Sequence, residues 1–457
     1  MRDWTGHLVV LGLGASGVAV AEWGLSRAAE GVRVTVIDSS DGASVAAKAA
    51  ELRSRGAEVR LGEESVHEGD LIVASPGIRP TSPLMVSARA LGVPVISEIE
   101  LAYRLSEATW IAITGTNGKT TTTALVTHLL REAGFVAEPA GNIGPAAARV
   151  ACELGDAGII VAEVSSFQMV LADTFHPRVA ALLNITPDHI DYHGSLEAYA
   201  AEKAKVFAHQ VQGDTAVIDI DDSGSAGYAD AVESRGVTVC RVSRTQTPRS
   251  GAYLRDDMLV LEEHGEEHTL VTTGALGIRG DHNISNALAA AACARASGAS
   301  LDALRSALVS FRPIEHRLEP AGIVKDVEYF NDSKATNPDA VLKALTAFGA
   351  RPLVLLLGGR NKGVDMHPLA RAVAERTRDV VLFGEAADEF RQAFSGLEVN
   401  LHQAADLSEA VAQAARVAQS GSVVLLSPGC TSYDEFSGYE ERGRRFKEIV
   451  AALGDAR

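Results

Sequence analysis

Apolar residues in this chain gather into short unbroken runs, at 8–11, 32–37, 71–74, 110–113, 158–162, 179–183, 353–357, 380–383 and 423–426. Several are apolar at successive positions, as expected of strands covered on both faces. Alanine-rich segments of helix length lie between them, so the alternation predicts an α/β fold of parallel sheets wrapped by helices. A more polar stretch, 223–274, carries short alternating runs at 258–261 and 269–271. It predicts a small mixed or antiparallel sheet attached to the middle of the chain. The run at 93–96 closes the first strand series, and Pro313 precedes a new one. Boundaries therefore fall near residues 98 and 313, giving three domains: 1–98, 99–313 and 314–457. A length of 457 residues agrees with more than one core.

The first strand runs into Gly12-Leu13-Gly14-Ala15-Ser16-Gly17 and then a helix, with Asp38 at the end of the second strand. This is a Rossmann-like fingerprint, in which glycines bring a pyrophosphate close to a helix N-terminus. It does not distinguish a nicotinamide dinucleotide from a uridine diphosphate, since both present a pyrophosphate and a ribose. A second glycine-rich loop follows residues 111–113: Thr114-Gly115-Thr116-Asn117-Gly118-Lys119-Thr120-Thr121-Thr122, then a helix that stops near Gly134. Such a loop cradles phosphates with backbone N–H groups, a lysine and a magnesium-binding hydroxyl. The general phosphate-loop pattern would place glycine at 113, where Ile113 stands; Gly115 takes its place. Two nucleotide turns in one chain point to an enzyme that joins something carried on one nucleotide using the energy of another.

Charge and cysteine content narrow the field. Lysine and arginine total 42 against 59 acids, a net charge of -17, which argues against a general nucleic-acid binder. Cys152, Cys240, Cys293 and Cys430 are widely spaced and suggest neither a disulfide scaffold nor a zinc ribbon. The apolar stretch at 8–20 is broken by three glycines and reads as strand, turn and helix, with no signal peptide or membrane span. The expectation is a cytoplasmic, monomeric enzyme acting on small molecules.

The spelling Gly-Thr-Asn-Gly-Lys-Thr at 115–120 resembles the Mur ligases and their folylpolyglutamate synthetase relatives. Further matches come in order: Glu163-Val-Ser-Ser-Phe-Gln168, Asn184-Ile-Thr-Pro-Asp-His189, Tyr199 with Lys203, and His282-Asn-Ile-Ser-Asn286. They continue with His316-Arg-Leu-Glu319, Asn331-Asp-Ser-Lys-Ala-Thr-Asn337, Leu357-Gly-Gly-Arg-Asn-Lys362 and 426–436. The resemblance covers essentially the whole chain. It implies a Rossmann-like first domain, a central ATPase-like domain and a Rossmann-like last domain. Within the family the glycine turn, the 331–337 run and the tail 439–443 are similar to the members that add D-glutamate to UDP-N-acetylmuramoyl-L-alanine. The uridine-nucleotide-like first domain argues against a folylpolyglutamate synthetase. A nicotinamide oxidoreductase built on the first turn leaves Lys119, Glu163, His189 and Lys203 without work.

The resemblance implies ATP and two magnesium sites, an acyl phosphate formed on the substrate carboxylate, and attack on it by the incoming amine. Gly115, Thr116, Asn117, Gly118, Lys119, Thr120 and Thr121 would hold ATP phosphates, with Asn283 and Asn286 near the base, Arg317 on the phosphates and Asp332 on the ribose. Taken alone, Asn283 and Asn286 read equally as helix caps. Thr120, Glu163, His189 and Lys203 would be metal ligands, and Lys119, Glu163, His189 and Lys203 catalytic. Asp188 would orient His189 or its loop. Ala15, Ser16, Asp38, Asn142 and His189 would contact the uridine-linked substrate. Thr336, Lys362, Ser432 and Tyr439 would contact D-glutamate; relatives commonly carry phenylalanine where Tyr439 stands. Lys334 falls near the same site by motif.

Lys203 carries the sharpest expectation, a carbamate formed with carbon dioxide that completes the second metal site. Two metals want anionic oxygen ligands, and the nearby motifs offer Glu163 and a neutral His189. Tyr199, Lys203 and Phe207 share a helical face, which directs Lys203 inward and leaves Lys205 to solvent. Burial also favours the neutral amine that reacts with carbon dioxide. The family resemblance points to the same lysine. The ordinary reading is a lysine paired with an acid such as Glu202.

Overall fold

Among the described residues three sheets carry the fold, with five, nine and six strands. The computed structural model describes residues 1, 3–142, 144–278, 280–312, 315–349, 351–361 and 363–455. The chain falls into two units, Met1–Leu276 with Asn283–Phe311, and Gly277–His282 with Arg312–Arg457. Among the described residues no helix is long and apolar enough to cross a membrane.

The first unit holds two sheets. In the five-stranded one, His7–Leu11 lies at the centre, parallel to Arg33–Asp38 on one side and Leu71–Ala74 on the other. Every residue of that central strand is buried, as its unbroken apolar run requires. Gly12 turns the chain with φ +91°, and a Cβ on Gly17 would stand 1.8 Å from the Gly12 carbonyl oxygen. The turn therefore closes only if residue 17 has no side chain.

In the nine-stranded sheet Thr109–Thr114 lies between Ile159–Glu163 and Val179–Leu182, all parallel. Ala137–Gly141 pairs outside Ile159–Glu163 and sets Gly141 opposite Glu163. Parallel strands deliver their C-terminal loops to one edge, where α/β proteins place ligands. The small sheet expected within 223–274 is not separate. Gly251–Arg255 pairs in parallel with Thr238–Ser243, and the antiparallel strands Met258–Glu263 and Glu266–Thr272 then extend the same sheet. The reason is that an edge strand exposes unpaired backbone groups, and the next segment of chain satisfies them.

In the second unit, Val423–Gly429 sits between Val327–Asn331 and Leu353–Gly358, all parallel, and Glu319–Val324 adds an antiparallel edge. None of the four cysteines is in a disulfide.

The crowding at Gly17 makes a direct prediction. Gly17→Ala should cost about 1–3 kcal/mol through overpacking. Urea unfolding followed by tryptophan fluorescence reports on this sheet, because Trp4 and Trp23 stack with ring centroids 6.4 Å apart. A wild-type unfolding midpoint for the variant would contradict the turn geometry.

Candidate active site

The phosphate loop joins Thr109–Thr114 to the helix Lys119–Glu132. Gly115 and Gly118 adopt φ +149° and +85°, conformations open chiefly to glycine. A Cβ on Gly118 would lie 2.4 Å from the Asn286 Oδ1. The loop is held from its neighbour at 183–189. Asn117 N donates to the Asn184 Oδ1 at 2.8 Å, and the Asn184 amide returns a bond to the Asn117 carbonyl at 3.1 Å. The Thr116 hydroxyl contacts the Tyr199 hydroxyl at 3.1 Å and accepts from Thr186 N at 3.0 Å. Thr121 is buried in the first turn of the following helix.

Glu163 is the junction of this edge. It ends a fully buried strand and is 2 % exposed. The Thr120 hydroxyl donates to its Oε2 at 3.0 Å, and the Asn142 amide donates to its Oε1 at 2.8 Å. Asn142 N also donates to the Glu163 carbonyl at 2.9 Å. One carboxylate thus binds the phosphate helix and the turn beyond Gly141. Carboxylate and hydroxyl oxygens side by side are the hard donors that magnesium selects, so the residues present fit the ion.

Two lysines converge on one carbonyl. Lys119 Nζ donates to the Gly115 and Thr116 carbonyls at 2.9 and 2.7 Å, and Lys203 Nζ donates to the Gly115 carbonyl at 2.8 Å. Lys203 is 1 % exposed, and its ammonium lies 4.5 Å from the Tyr199 ring centroid. Burial, reinforced by the charge of Lys119, lowers its pKa to about 7. Tyr199, Lys203 and Phe207 are all buried, although the α-helix ends at Ala204 and Lys205–Phe207 form a 3-10 turn. Lys205 is not left to solvent as expected. It pairs with Glu202 at 2.6 Å and donates to the Met169 carbonyl, because the tighter turn brings it back onto the protein. Glu202 is therefore the partner of Lys205.

His189 has φ 52° and is half exposed. Its backbone N donates to the Asp188 carboxylate at 2.9 Å. Phe167 packs against its ring at 4.7 Å, against Tyr192 at 4.5 Å and against His193 at 5.5 Å. The sequence reading missed Tyr192 and His193 and gave Phe167 no role. Phe167 had a signal, its place in the 163–168 run; the other two join it only when the chain folds.

Asn283 and Asn286 lie within the helix Asp281–Ala296. The Asn286 Oδ1 accepts from the Thr122 hydroxyl at 3.3 Å, and its amide donates to the Asn283 Oδ1 at 2.9 Å. They brace the phosphate helix. In the first sheet, Ala15 and Ser16 open the helix after the glycine turn. Asp38 holds that turn, accepting from Leu13 N at 2.7 Å and Ser40 N at 2.8 Å.

In the second unit Asp332 is 5 % exposed and accepts from the Ser427 hydroxyl at 2.8 Å and Leu318 N at 3.3 Å. Burial raises its pKa to about 7, and the charge of Arg317 opposes that. Ser432 is buried, Thr336 half-buried, and Tyr439 opens the helix Tyr439–Asp455. The Lys334 ammonium lies 5.6 Å from the Tyr439 ring centroid, and burial pushes the Tyr439 phenol up to about 12. Lys362 lies outside the described residues.

The raised pKa of Asp332 has a stability consequence. Between the ordinary value of 3.8 and about 7 the folded chain keeps a proton that the unfolded chain has lost. Stability from this group therefore falls as pH rises through that window. Asp332→Asn should reduce the fall in melting temperature between pH 5 and pH 8 by a few degrees. An identical fall in wild type and variant would contradict the burial argument.

Residues 6–97 match the model for the Mur ligase MurD-like N-terminal domain, 113–294 the Mur ligase middle domain, and 316–430 the Mur ligase glutamate ligase domain. The chain is 41 % identical over 462 residues to UDP-N-acetylmuramoylalanine–D-glutamate ligase of Pelotomaculum thermopropionicum, covering 99 % of each. It is 41 % identical over 454 residues to the protein of the same name from Salinibacter ruber, covering 97 % of each. Among solved structures, UDP-N-acetylmuramate-alanine ligase of Thermotoga maritima superposes with a TM-score of 0.59 at 20 % identity, covering 98 % of this chain and 99 % of that one. The three family models follow one another through most of the sequence, and the chain belongs to the Mur ligase family, whose members use ATP and magnesium.

Proposed function

We propose that this enzyme joins D-glutamate to UDP-N-acetylmuramoyl-L-alanine, with ATP converted to ADP and phosphate through an acyl phosphate, in the synthesis of peptidoglycan precursors. The observation that carries the reading is the shared carboxylate of Glu163, bonded on one side to Thr120 of the phosphate helix and on the other to Asn142. That arrangement suits a reaction in which a phosphoryl group passes between two molecules held on adjoining loops. The names and high coverage of the relatives support the same substrates.

In this reading residues 1–98 seat the uridine nucleotide through Ala15, Ser16 and the turn that Asp38 holds. Residues 99–313 bind ATP and carry out phosphoryl transfer; residues 314–457 supply Arg317 and Asp332 to ATP and Thr336, Lys362, Ser432 and Tyr439 to D-glutamate. A carboxylate is a poor acyl donor because oxide is a poor leaving group, and phosphorylation corrects that. Lys119 exchanges its loop carbonyls for the phosphates, which offer a stronger, charge-assisted partner. Thr120, Glu163, His189 and a carbamylated Lys203 would hold magnesium, which would supply positive charge against the anionic groups brought together in transfer. Lys203 suits carbamylation because its amine is buried and titrates near 7, so a neutral fraction is present at physiological pH. Asn142 and His189 orient the muramoyl-alanine end. The enzyme acts as a monomer in the cytoplasm.

Two outcomes are expected. ADP release should require UDP-N-acetylmuramoyl-L-alanine and D-glutamate together; equal turnover with L-glutamate, L-alanine or diaminopimelate would overturn the acceptor assignment. Lys203→Ala should lose most activity and regain part of it with added formate or acetate, while Lys205→Ala stays near wild type. A fully active Lys203→Ala would refute the carbamate.

A further inference from the structure

The turn that carries Asn142 runs into a helix with no cap of its own. Ala147–Glu153 has Ala146 at its N-cap position, and no side chain there accepts a hydrogen bond. Buried, unpaired N–H groups at a helix start are costly. Glu98 supplies the missing acceptor from a different element. Its Oε1 accepts from Ala148 N at 2.6 Å, and the N–H of Ala147 also bonds to the carboxylate. Glu98 is 1 % exposed, and its Oε2 has no hydrogen-bond partner among the described residues. The carboxyl therefore grips the protein through the helix start. Burial raises its pKa to about 7, and the two N–H groups oppose the rise.

The position of Glu98 gives that grip a purpose. It opens the helix Glu98–Leu105, directly after Val95–Ser97, an edge strand of the five-stranded sheet. On the far side of the turn, Gly141 N donates to the Pro145 carbonyl at 3.1 Å, and Asn142 is fixed to Glu163 by its backbone and its amide. A Cβ on Gly141 would stand 2.4 Å from the Glu163 carbonyl oxygen, so the approach is close. The turn is thus clamped by two buried acids, Glu163 at its start and Glu98 at its end. Another side-chain hold on the helix is an ion pair of Arg149 with Glu22, with side chains 48 % and 27 % exposed; pairs so open to water contribute little.

We propose that Glu98 is a positioning residue for the uridine-linked substrate, holding the start of Ala147–Glu153 so that Asn142, bonded to Glu163 ahead of it, is presented at a fixed height. This rests on the reading that the turn binds that substrate. It predicts an unequal effect: the substrate on the turn suffers more than ATP on the phosphate loop.

The test is calorimetric titration of the full-length enzyme with UDP-N-acetylmuramoyl-L-alanine in the absence of ATP, with KM values for all three substrates. Glu98→Ala should bind the uridine-linked substrate about tenfold more weakly, the loss of a charge-assisted bond, with KM for ATP changed less than about twofold. Glu98→Gln keeps an acceptor oxygen and should restore binding to within about threefold. Glu98→Asp, one methylene too short to reach Ala148, should weaken binding in the same direction and serves if the alanine variant does not fold. Wild type that binds while Glu98→Ala and Glu98→Asp bind equally well overturns this inference alone. So does an equal rise in all three KM values, which would mark general loosening. Wild type that fails to bind overturns the proposed function, and this inference with it.

Discussion

A charge buried at the end of a central strand must be matched on every side, and that requirement at Glu163 organises this edge of the nine-stranded sheet. An unmatched buried carboxylate is costly by several kcal/mol. Here the matching groups come from two directions, the Thr120 hydroxyl and the Asn142 amide. Neither can move alone without leaving the carboxylate short of a donor. The parallel pairing of Ile159–Glu163 with Thr109–Thr114 on one side and Ala137–Gly141 on the other makes the convergence possible. The glycine-rich loop and the turn beyond Gly141 are thereby set to a common reference.

Around this acid the cations are held in reserve. Lys119 and Lys203 share the Gly115 carbonyl, an arrangement with mutual repulsion built in. Burial, with that repulsion added to it, lowers the pKa of Lys203. Phosphate oxygens arriving at the loop would relieve the strain on Lys119, and loss of the positive charge on Lys203 would relieve the rest. The Tyr199 hydroxyl ties the same helix to Thr116, so the lysine and the loop are fixed by one side chain.

Much of this was legible in the order of residues because it depends on local pattern. Unbroken apolar runs such as 71–74 became buried strands, and the glycines at 115 and 118 took the φ values their loop needs. The spacing of Tyr199, Lys203 and Phe207 placed all three inside. What escaped depends on pairing between distant segments. The polar strands after residue 250 extend the central sheet, since the choice between a separate sheet and an edge is made by register across the fold. Nothing in the local sequence singles out Glu98, and its partner Ala148 is fifty residues away. Lys205 was assigned to solvent on an ideal helix, and a 3-10 turn brought it back to Glu202.

If Glu163 holds a metal ion beside Thr120, its loss must weaken metal binding at the phosphate loop. Electron paramagnetic resonance of manganese, titrated into enzyme holding a non-hydrolysable ATP analogue, tests it most directly when wild type is compared with Glu163→Gln. The variant, still folded, should lose at least part of the tightly bound manganese. A manganese titration identical to wild type would contradict it.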